Sequence, residues 1–250
     1  MNIGIQLYSV SEDFKKNNAA TVQALAGMGY RGIEFAFTFG CMSPGELVSL
    51  LKNANMKAVG IYSAGLDNLL NSSDDIYRYS GYLKNPYVTV GSPELLEDWD
   101  SAIEKVKEAG IVARKAGMTL LYHNHREEIE LLGNKPALSV LADRTEPEII
   151  KIELDTHFIA KAGSNPVEWL ENYKGRVPVL HLKDIKKDGS VTETGEGILD
   201  IPAVCRKARE IGVKWLVVEF HEIGERTPME SARLCIENLR RLKIQGEDSK

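Results

Sequence analysis

The chain has 250 residues, of which 43% are hydrophobic and 27% charged, so it can build a sizeable core under a solvated surface. The formal net charge of −5 at pH 7 shows no basic excess of the kind that duplex-binding proteins carry, so we expect no nucleic-acid partner. No stretch approaches the roughly 20 apolar residues of a membrane helix, and the N-terminus lacks a signal-peptide pattern. Three scattered cysteines indicate reduced thiols, so we predict a cytoplasmic protein without a membrane partner.

Short apolar runs rich in β-branched and aromatic residues recur along the chain and are separated by charged, amphipathic segments. This alternation predicts strands that alternate with helices. Eight strands are predicted, at 3–8, 32–36, 57–62, 87–90, 119–123, 149–154, 177–182 and 215–220.

Several helix boundaries are also marked in the sequence. Ser43-Pro44-Gly45-Glu46 has the spacing of a capping box with proline at the first helical position, and Ser92-Pro93-Glu94 predicts the start of a long helix that ends near Ala116. Glycines at the helix-to-strand junctions predict left-handed helix terminators. These glycines are Gly29, Gly117 and Gly212.

Eight strands that alternate with about eight helices imply parallel pairing, in an open doubly wound sheet or a closed barrel. Eight units in 250 residues favour closure, and no G-x-G-x-x-G motif follows the first strand to suggest a dinucleotide fold. We therefore predict an α/β fold with one (β/α)₈ TIM barrel domain over residues 1–244 and a solvated tail over 245–250.

Histidines and carboxylates gather where the later strands end. In a barrel these ends share one face, which carries the active site. Because side chains alternate along a strand, Glu153 shares a face with Asp155 and His157, His181 shares one with Lys183, and Glu219 shares one with His221. The five histidines all lie at or just beyond strand ends, at His123, His125, His157, His181 and His221.

Four successive strands that each supply an acid or a histidine predict a divalent metal site, and the mixed ligands suit Mn, Mg, Co or Zn. Simpler interpretations remain open for single residues. His123 or His125 alone could be a hydrogen-bonded core histidine, Lys183-Asp184 could be a surface ion pair, and the acidic run of Glu127, Glu128 and Glu130 could be solvated.

Five ordered motifs and one loop resemble the xylose isomerase-like sugar (phosphate) isomerase/epimerase family over nearly the whole chain. They are Gln6–Val10, Tyr122–His125, Glu153–Thr156, His181–Asp184, Val218-Glu219 and the loop Gly195–Asp200. The resemblance implies a (β/α)₈ barrel that binds one divalent metal through Glu128, Asp155, His181 and Glu219. Glu127 stands beside Glu128, which leaves the first ligand open between the two. His221 stands where relatives often carry Asp.

The resemblance implies a metal-dependent isomerase or epimerase that acts on a sugar, keto-sugar or sugar phosphate through an ene-diolate. Glu128 and Glu219 are the expected acid/base pair. The expected substrate-binding residues are His125, His157, Lys183 and His221.

Other functions stay open on the same site. One is a dehydratase or lyase that acts on a keto-sugar or keto-inositol. Two others are an apurinic endonuclease-like nuclease and a non-catalytic sugar-binding barrel. The absence of histidine from the first four strands argues against the nuclease. The partner is expected to be a small sugar-derived molecule, and the sequence leaves open the metal, phosphorylation of the substrate and assembly into a homo-oligomer.

Overall fold

The computed structural model describes residues 1–91, 98–221 and 224–244. Eight parallel strands form a closed ring in the order β1-β8-β7-β6-β5-β4-β3-β2, which confirms the predicted barrel. The strands are β1 Asn2–Gln6, β2 Gly32–Ala36, β3 Lys57–Tyr62, β4 Tyr87–Val90, β5 Thr119–His123, β6 Ile150–Asp155, β7 Val179–Leu182 and β8 Trp215–Val218.

Helices separate the strands and surround the barrel. The capping box at Ser43 and Glu46 is present, and Gly29, Gly117 and Gly212 all have positive φ, as predicted. The helices are α1 Ser11–Lys16, α2 Asn18–Met28, α3 Pro44–Asn53, α4 Leu66–Leu70, α5 Asp75–Leu83, α6 Trp99–Lys115, α7 Ala137–Asp143, α8 Thr156–Lys161, α9 Pro166–Asn172, α10 Ile201–Glu210 and α11 Pro228–Arg241.

Two predictions at segment ends fall outside the described residues. The expected start of the long helix at Ser92 is one, and the solvated tail at 245–250 is the other. Two short antiparallel hairpins were not predicted; one pairs Leu131–Leu132 with Lys135–Pro136, and the other pairs Asp184–Ile185 with Val191–Thr192. In the part of the chain that the structure describes, no helix has the length and apolar character to cross a membrane.

The alternation of side chains along the strands gives the barrel an inner and an outer core. Leu180 and Leu182 on β7 pack in the large cluster that the helices cover, whereas Val179 belongs to a small cluster inside the barrel. His181 has the same parity as Val179 and therefore faces inward, as the sequence predicts. At the amino-terminal ends of the strands, the Trp215 ring packs against Gly32, where an added Cβ would lie 2.4 Å from the indole ring.

Candidate functional site

Four buried side chains form one cluster at the carboxyl ends of the later strands. Each can offer one ligand atom, and these four atoms lie within 4.8 Å of one another. The strand positions explain the convergence, since the β5 end, the β6 end, the inner face of β7 and the residue after β8 are neighbours in the ring. The four residues are His123, Asp155, His181 and Glu219.

Two buried polar atoms of this cluster make no hydrogen bond, and such atoms are the ones that a bound metal would satisfy. His123 Nδ1, 3.3 Å from Glu153 Oε2, and Asp155 Oδ2, 3.3 Å from Lys183 Nζ, make no hydrogen bond of good geometry, whereas Asp155 Oδ1 accepts the backbone N–H groups of His157 and Phe158 at the start of α8. Unsatisfied buried polar groups cost free energy, and a divalent cation would satisfy both atoms. Two imidazoles and two carboxylates also form a donor set that suits Zn, Mn or Co, so the cluster fits a divalent metal.

A buried lysine lies beside the cluster. Lys183 Nζ is 3.0 Å from Glu219 Oε1, 3.3 Å from Asp155 Oδ2 and 3.2 Å from His221 Nε2. Burial alone would lower the pKa of Lys183, but the two carboxylates outweigh burial and raise it. Burial alone would raise the pKa of Glu219, but the charge of Lys183 and the hydrogen bond from His181 hold it well below its usual range. Lys183 is therefore cationic and Glu219 anionic at neutral pH.

Two more carboxylates lie within the barrel next to His181. Glu34 Oε2 is 2.7 Å from His181 Nε2, and Glu153 Oε2 is 3.4 Å from the same nitrogen. Burial and the nearby charge of Glu34 raise the pKa of Glu153 well above its ordinary value. The pKa of His181 is well above its ordinary value because Glu153 and Glu34 outweigh the opposing effect of burial. Glu34 was not predicted as a site residue, although it is a lone acid in the apolar strand GIEFA, which was the available signal.

A cavity of about 230 Å³ opens above the cluster. Aromatic walls and a polar floor suit a small ring that carries hydroxyl groups. His221 closes one side, with its ring centroid 5.2 Å from that of Tyr8, and burial together with the charge of Lys183 lowers its pKa. The lining residues are Gln6, Tyr8, Phe37, Tyr62, His123, His125, Phe158, Lys183, Glu219 and His221.

The cavity brings together most of the residues predicted to bind substrate. His125, Lys183 and His221 all line it. His157 is absent from the lining, and Phe158 lines the cavity instead. The reason is that β6 ends at Asp155 and α8 begins at Thr156, so the alternation of a strand no longer applies at His157. Lys183 and the following Asp184 are both buried, so the alternative of a surface ion pair is wrong.

The structure places Glu128, the predicted first ligand, on a short 3₁₀ turn after β5. Its buried carboxylate accepts hydrogen bonds from the Tyr122 hydroxyl at 2.9 Å and the His125 backbone N–H at 2.8 Å. Glu128 belongs to neither carboxylate–imidazole group found among the described residues, and Glu127 is exposed. His123 at the end of β5 is the fourth residue of the cluster, and its strand-end position was the available signal for it.

Known proteins resemble the chain at the level of sequence. A family model described as xylose isomerase-like TIM barrel matches residues 22–243. An inosose dehydratase of Geobacillus kaustophilus is 26% identical over 144 residues, which make up 50% of this chain and 46% of that protein. The chain spans about half the length of the curated relatives it matches first.

Solved structures resemble the chain over nearly its whole length. A sugar phosphate isomerase/epimerase from Parabacteroides distasonis has a TM-score of 0.78 at 20% identity, and the match covers 96% of this chain and 93% of that one. The IOLI protein, solved with a zinc atom, has a TM-score of 0.77 at 15% identity, and the match covers 97% and 98% of the two chains. These two likenesses show a shared fold.

Proposed function

Because the chain belongs to the xylose isomerase-like TIM barrel family, we propose that it is a metal-dependent enzyme that removes the proton beside the carbonyl group of a keto-sugar or keto-cyclitol. The observation that carries the proposal is the buried cluster of His123, Asp155, His181 and Glu219 beneath a cavity of monosaccharide size. These four residues would hold a divalent ion, which would act as a Lewis acid toward the carbonyl oxygen. Glu219 thus keeps its predicted ligand role, and His123 replaces Glu128.

Lys183 and Glu219 form the polar floor on which the substrate would rest. The Lys183 ammonium is buried and cationic, so it can donate a hydrogen bond to a substrate oxygen and stabilise negative charge there. Glu219 was predicted to act as a base as well, but Lys183 donates to its Oε1, and its Oε2, 2.7 Å from His181 Nδ1, would bind the metal. With both oxygens engaged, Glu219 is poorly placed to take a proton from carbon.

His125 is the better placed proton acceptor. It lines the cavity, its Nδ1 is buried without a hydrogen-bond partner, and Glu128 fixes its backbone N–H. Imidazole is the side chain most often used for proton transfer at neutral pH. His221 lies three residues beyond the end of β8, which is three positions around the ring from β5, and it faces the cavity from another wall. We assign proton removal to His125, and proton delivery to a departing hydroxyl group to the pair of Lys183 and His221, in which the cationic ammonium lies 3.2 Å from the imidazole.

Dehydration is the outcome that we favour, because the sequence relatives reported above include an inosose dehydratase. In this reaction the proton leaves the carbon beside the carbonyl, and a hydroxyl group on the next carbon departs as water. Isomerisation or epimerisation is the second candidate, since imidazoles on two walls could exchange protons with two faces of one substrate. The two outcomes share proton removal and differ in what happens to the leaving hydroxyl.

Mass spectrometry of the product separates these outcomes. The zinc-loaded or manganese-loaded protein is incubated with a keto-inositol and with a panel of ketohexoses. A product lighter by one water is expected; it should vanish when the metal is chelated and form roughly 10²–10⁴-fold more slowly when His125 is replaced by Ala. A product of unchanged mass would favour isomerisation or epimerisation. Lack of turnover of all these ketones by the metal-loaded protein would contradict the proposed function.

A further inference from the structure

One carboxylate reaches across the barrel interior to the back of the candidate metal cluster. Glu34 on β2 is fully buried, and its Oε2 lies 2.7 Å from His181 Nε2 on β7. Gln6 on β1 donates its side-chain N–H to the same oxygen at 2.9 Å. Two side chains from different strands therefore hold this oxygen, although Glu34 takes no part in the proposed reaction.

The two ring nitrogens of His181 face different carboxylates. Nδ1 lies 2.7 Å from Glu219, which lines the cavity, whereas Nε2 lies 2.7 Å from Glu34, which does not. A neutral imidazole has one nitrogen with a lone pair and one that carries hydrogen, and the partner of the second nitrogen decides which is which. Because both nitrogens face a carboxylate, the metal would select the tautomer: an ion held with Glu219 would take the Nδ1 lone pair and leave the hydrogen on Nε2, where Glu34 accepts it.

We propose that Glu34 is a positioning residue that accepts a hydrogen bond from His181 Nε2–H and thereby presents Nδ1 to the metal. Gln6 fixes the Glu34 carboxylate in turn. The inference rests on the proposed function because it requires a metal in the cluster that contains Asp155 and Glu219. A carboxylate behind a ligating histidine also makes the imidazole a stronger donor, and loss of such a partner typically weakens metal binding by roughly 10–100-fold.

A different arrangement of the same side chains is the main alternative. Glu34, Glu153 and His181 also offer three ligand atoms within 4.8 Å of one another. A metal bound there would use Nε2 of His181 and make Glu34 a ligand. The two arrangements therefore differ in the nitrogen of His181 that is metal-bound, which can be observed directly.

The experiment uses nitrogen NMR of the ¹⁵N-histidine-labelled, zinc-loaded full chain, with the His181 signals assigned from a His181→Gln sample. Zinc affinity is measured in parallel by chelator competition for wild type, Glu34→Gln and Glu34→Ala. Glu193→Gln is the matched control, because Glu193 is a buried carboxylate that accepts from Arg226 and Ser231 and belongs to neither group.

We expect zinc on Nδ1 and hydrogen on Nε2 of His181 in wild type. Zinc affinity should fall roughly 10-fold in Glu34→Gln, which keeps an acceptor, and toward 100-fold in Glu34→Ala, with no change in Glu193→Gln. Far-ultraviolet circular dichroism of the metal-free variants checks that each one folds, and affinity is compared on folded samples.

Each result has a separate meaning. Equal affinity in wild type and both Glu34 variants, with zinc on Nδ1, would overturn the positioning role and leave the proposed function intact. Zinc on Nε2 would overturn the positioning role and also move the metal away from the cluster on which the proposed function rests. Wild-type protein that binds no zinc, manganese or cobalt would contradict the positioning role together with the proposed function. Should both Glu34 variants fail to fold, the nitrogen on which zinc is found in wild type still decides between the two arrangements.

Discussion

Asp184 should be among the residues on which stability depends most, although it lies outside the proposed chemistry. Its buried carboxylate accepts four backbone N–H groups. Oδ1 accepts from Ile185 at 2.8 Å and Leu199 at 3.2 Å, and Oδ2 accepts from Gly195 at 2.9 Å and Gly197 at 3.0 Å. One side chain thus organises the loop that follows β7, directly after Lys183.

Asp184→Asn replaces one carboxylate oxygen with an NH₂ group of the same size. Two of the four backbone N–H groups would then lose their acceptor and face a donor. A fully buried unsatisfied donor costs about 1–3 kcal/mol, and the donors of Gly195, Gly197 and Leu199 are only partly buried, so the substitution should lower the free energy of unfolding by about 2 kcal/mol. In a chain of this length about 1 kcal/mol corresponds to roughly 2–4 °C, so the melting temperature should fall by at least about 4 °C.

Thermal unfolding followed by circular dichroism measures this loss. Asp188→Asn is the matched control, because Asp188 is exposed and accepts only from Ser190 among the hydrogen bonds of the described residues. The control should stay within about 0.5 kcal/mol of wild type. An Asp184→Asn protein that melts within about 1 °C of wild type would refute the argument from backbone acceptors.

The other predictions concern the metal. Asp155→Ala or His181→Ala should remove most bound metal while the far-ultraviolet spectrum stays unchanged, and undiminished metal in both would contradict the cluster. Glu128→Gln should keep its zinc, since the Glu128 carboxylate bonds Tyr122 and His125; loss of zinc would restore Glu128 as a ligand. Free zinc at about 100-fold its dissociation constant should stabilise the fold by about 2.7 kcal/mol. A melting temperature that is the same with zinc and with chelator would argue against specific binding.

The barrel could be predicted from the sequence because each strand is a short apolar run with a clear boundary. All eight predicted strands are present, and errors are confined to their ends. The run 215–220 was predicted as one strand, but β8 ends at Val218, and 3–8 was predicted where β1 ends at Gln6. Apolar residues continue past both ends, since Leu7 and Phe220 remain buried without pairing in the barrel. Hydrophobicity reports burial, whereas strand ends depend on pairing.

Alternation along a strand predicts where a candidate site residue points only if the strand continues to that residue. Asp155 and His181 lie within strands and point as alternation requires. His157 and Glu128 lie just beyond strand ends, where a helix and a 3₁₀ turn redirect them. Glu34 is far from the other site residues in sequence and meets His181 only because the ring closes. The spacing of residues along the sequence therefore cannot predict this long-range contact.

Solvent deuterium incorporation tests the central claim of metal-dependent proton removal most directly. Zinc-loaded protein is incubated in D₂O with a keto-inositol or other ketone that it turns over, and the ¹H NMR spectrum is recorded. We predict that deuterium replaces hydrogen at the carbon beside the carbonyl in recovered substrate or product, that chelation abolishes the exchange, and that His125→Ala slows it by roughly 10²–10⁴-fold. Turnover that leaves no solvent deuterium at that carbon in substrate or product would indicate hydride transfer and contradict the account.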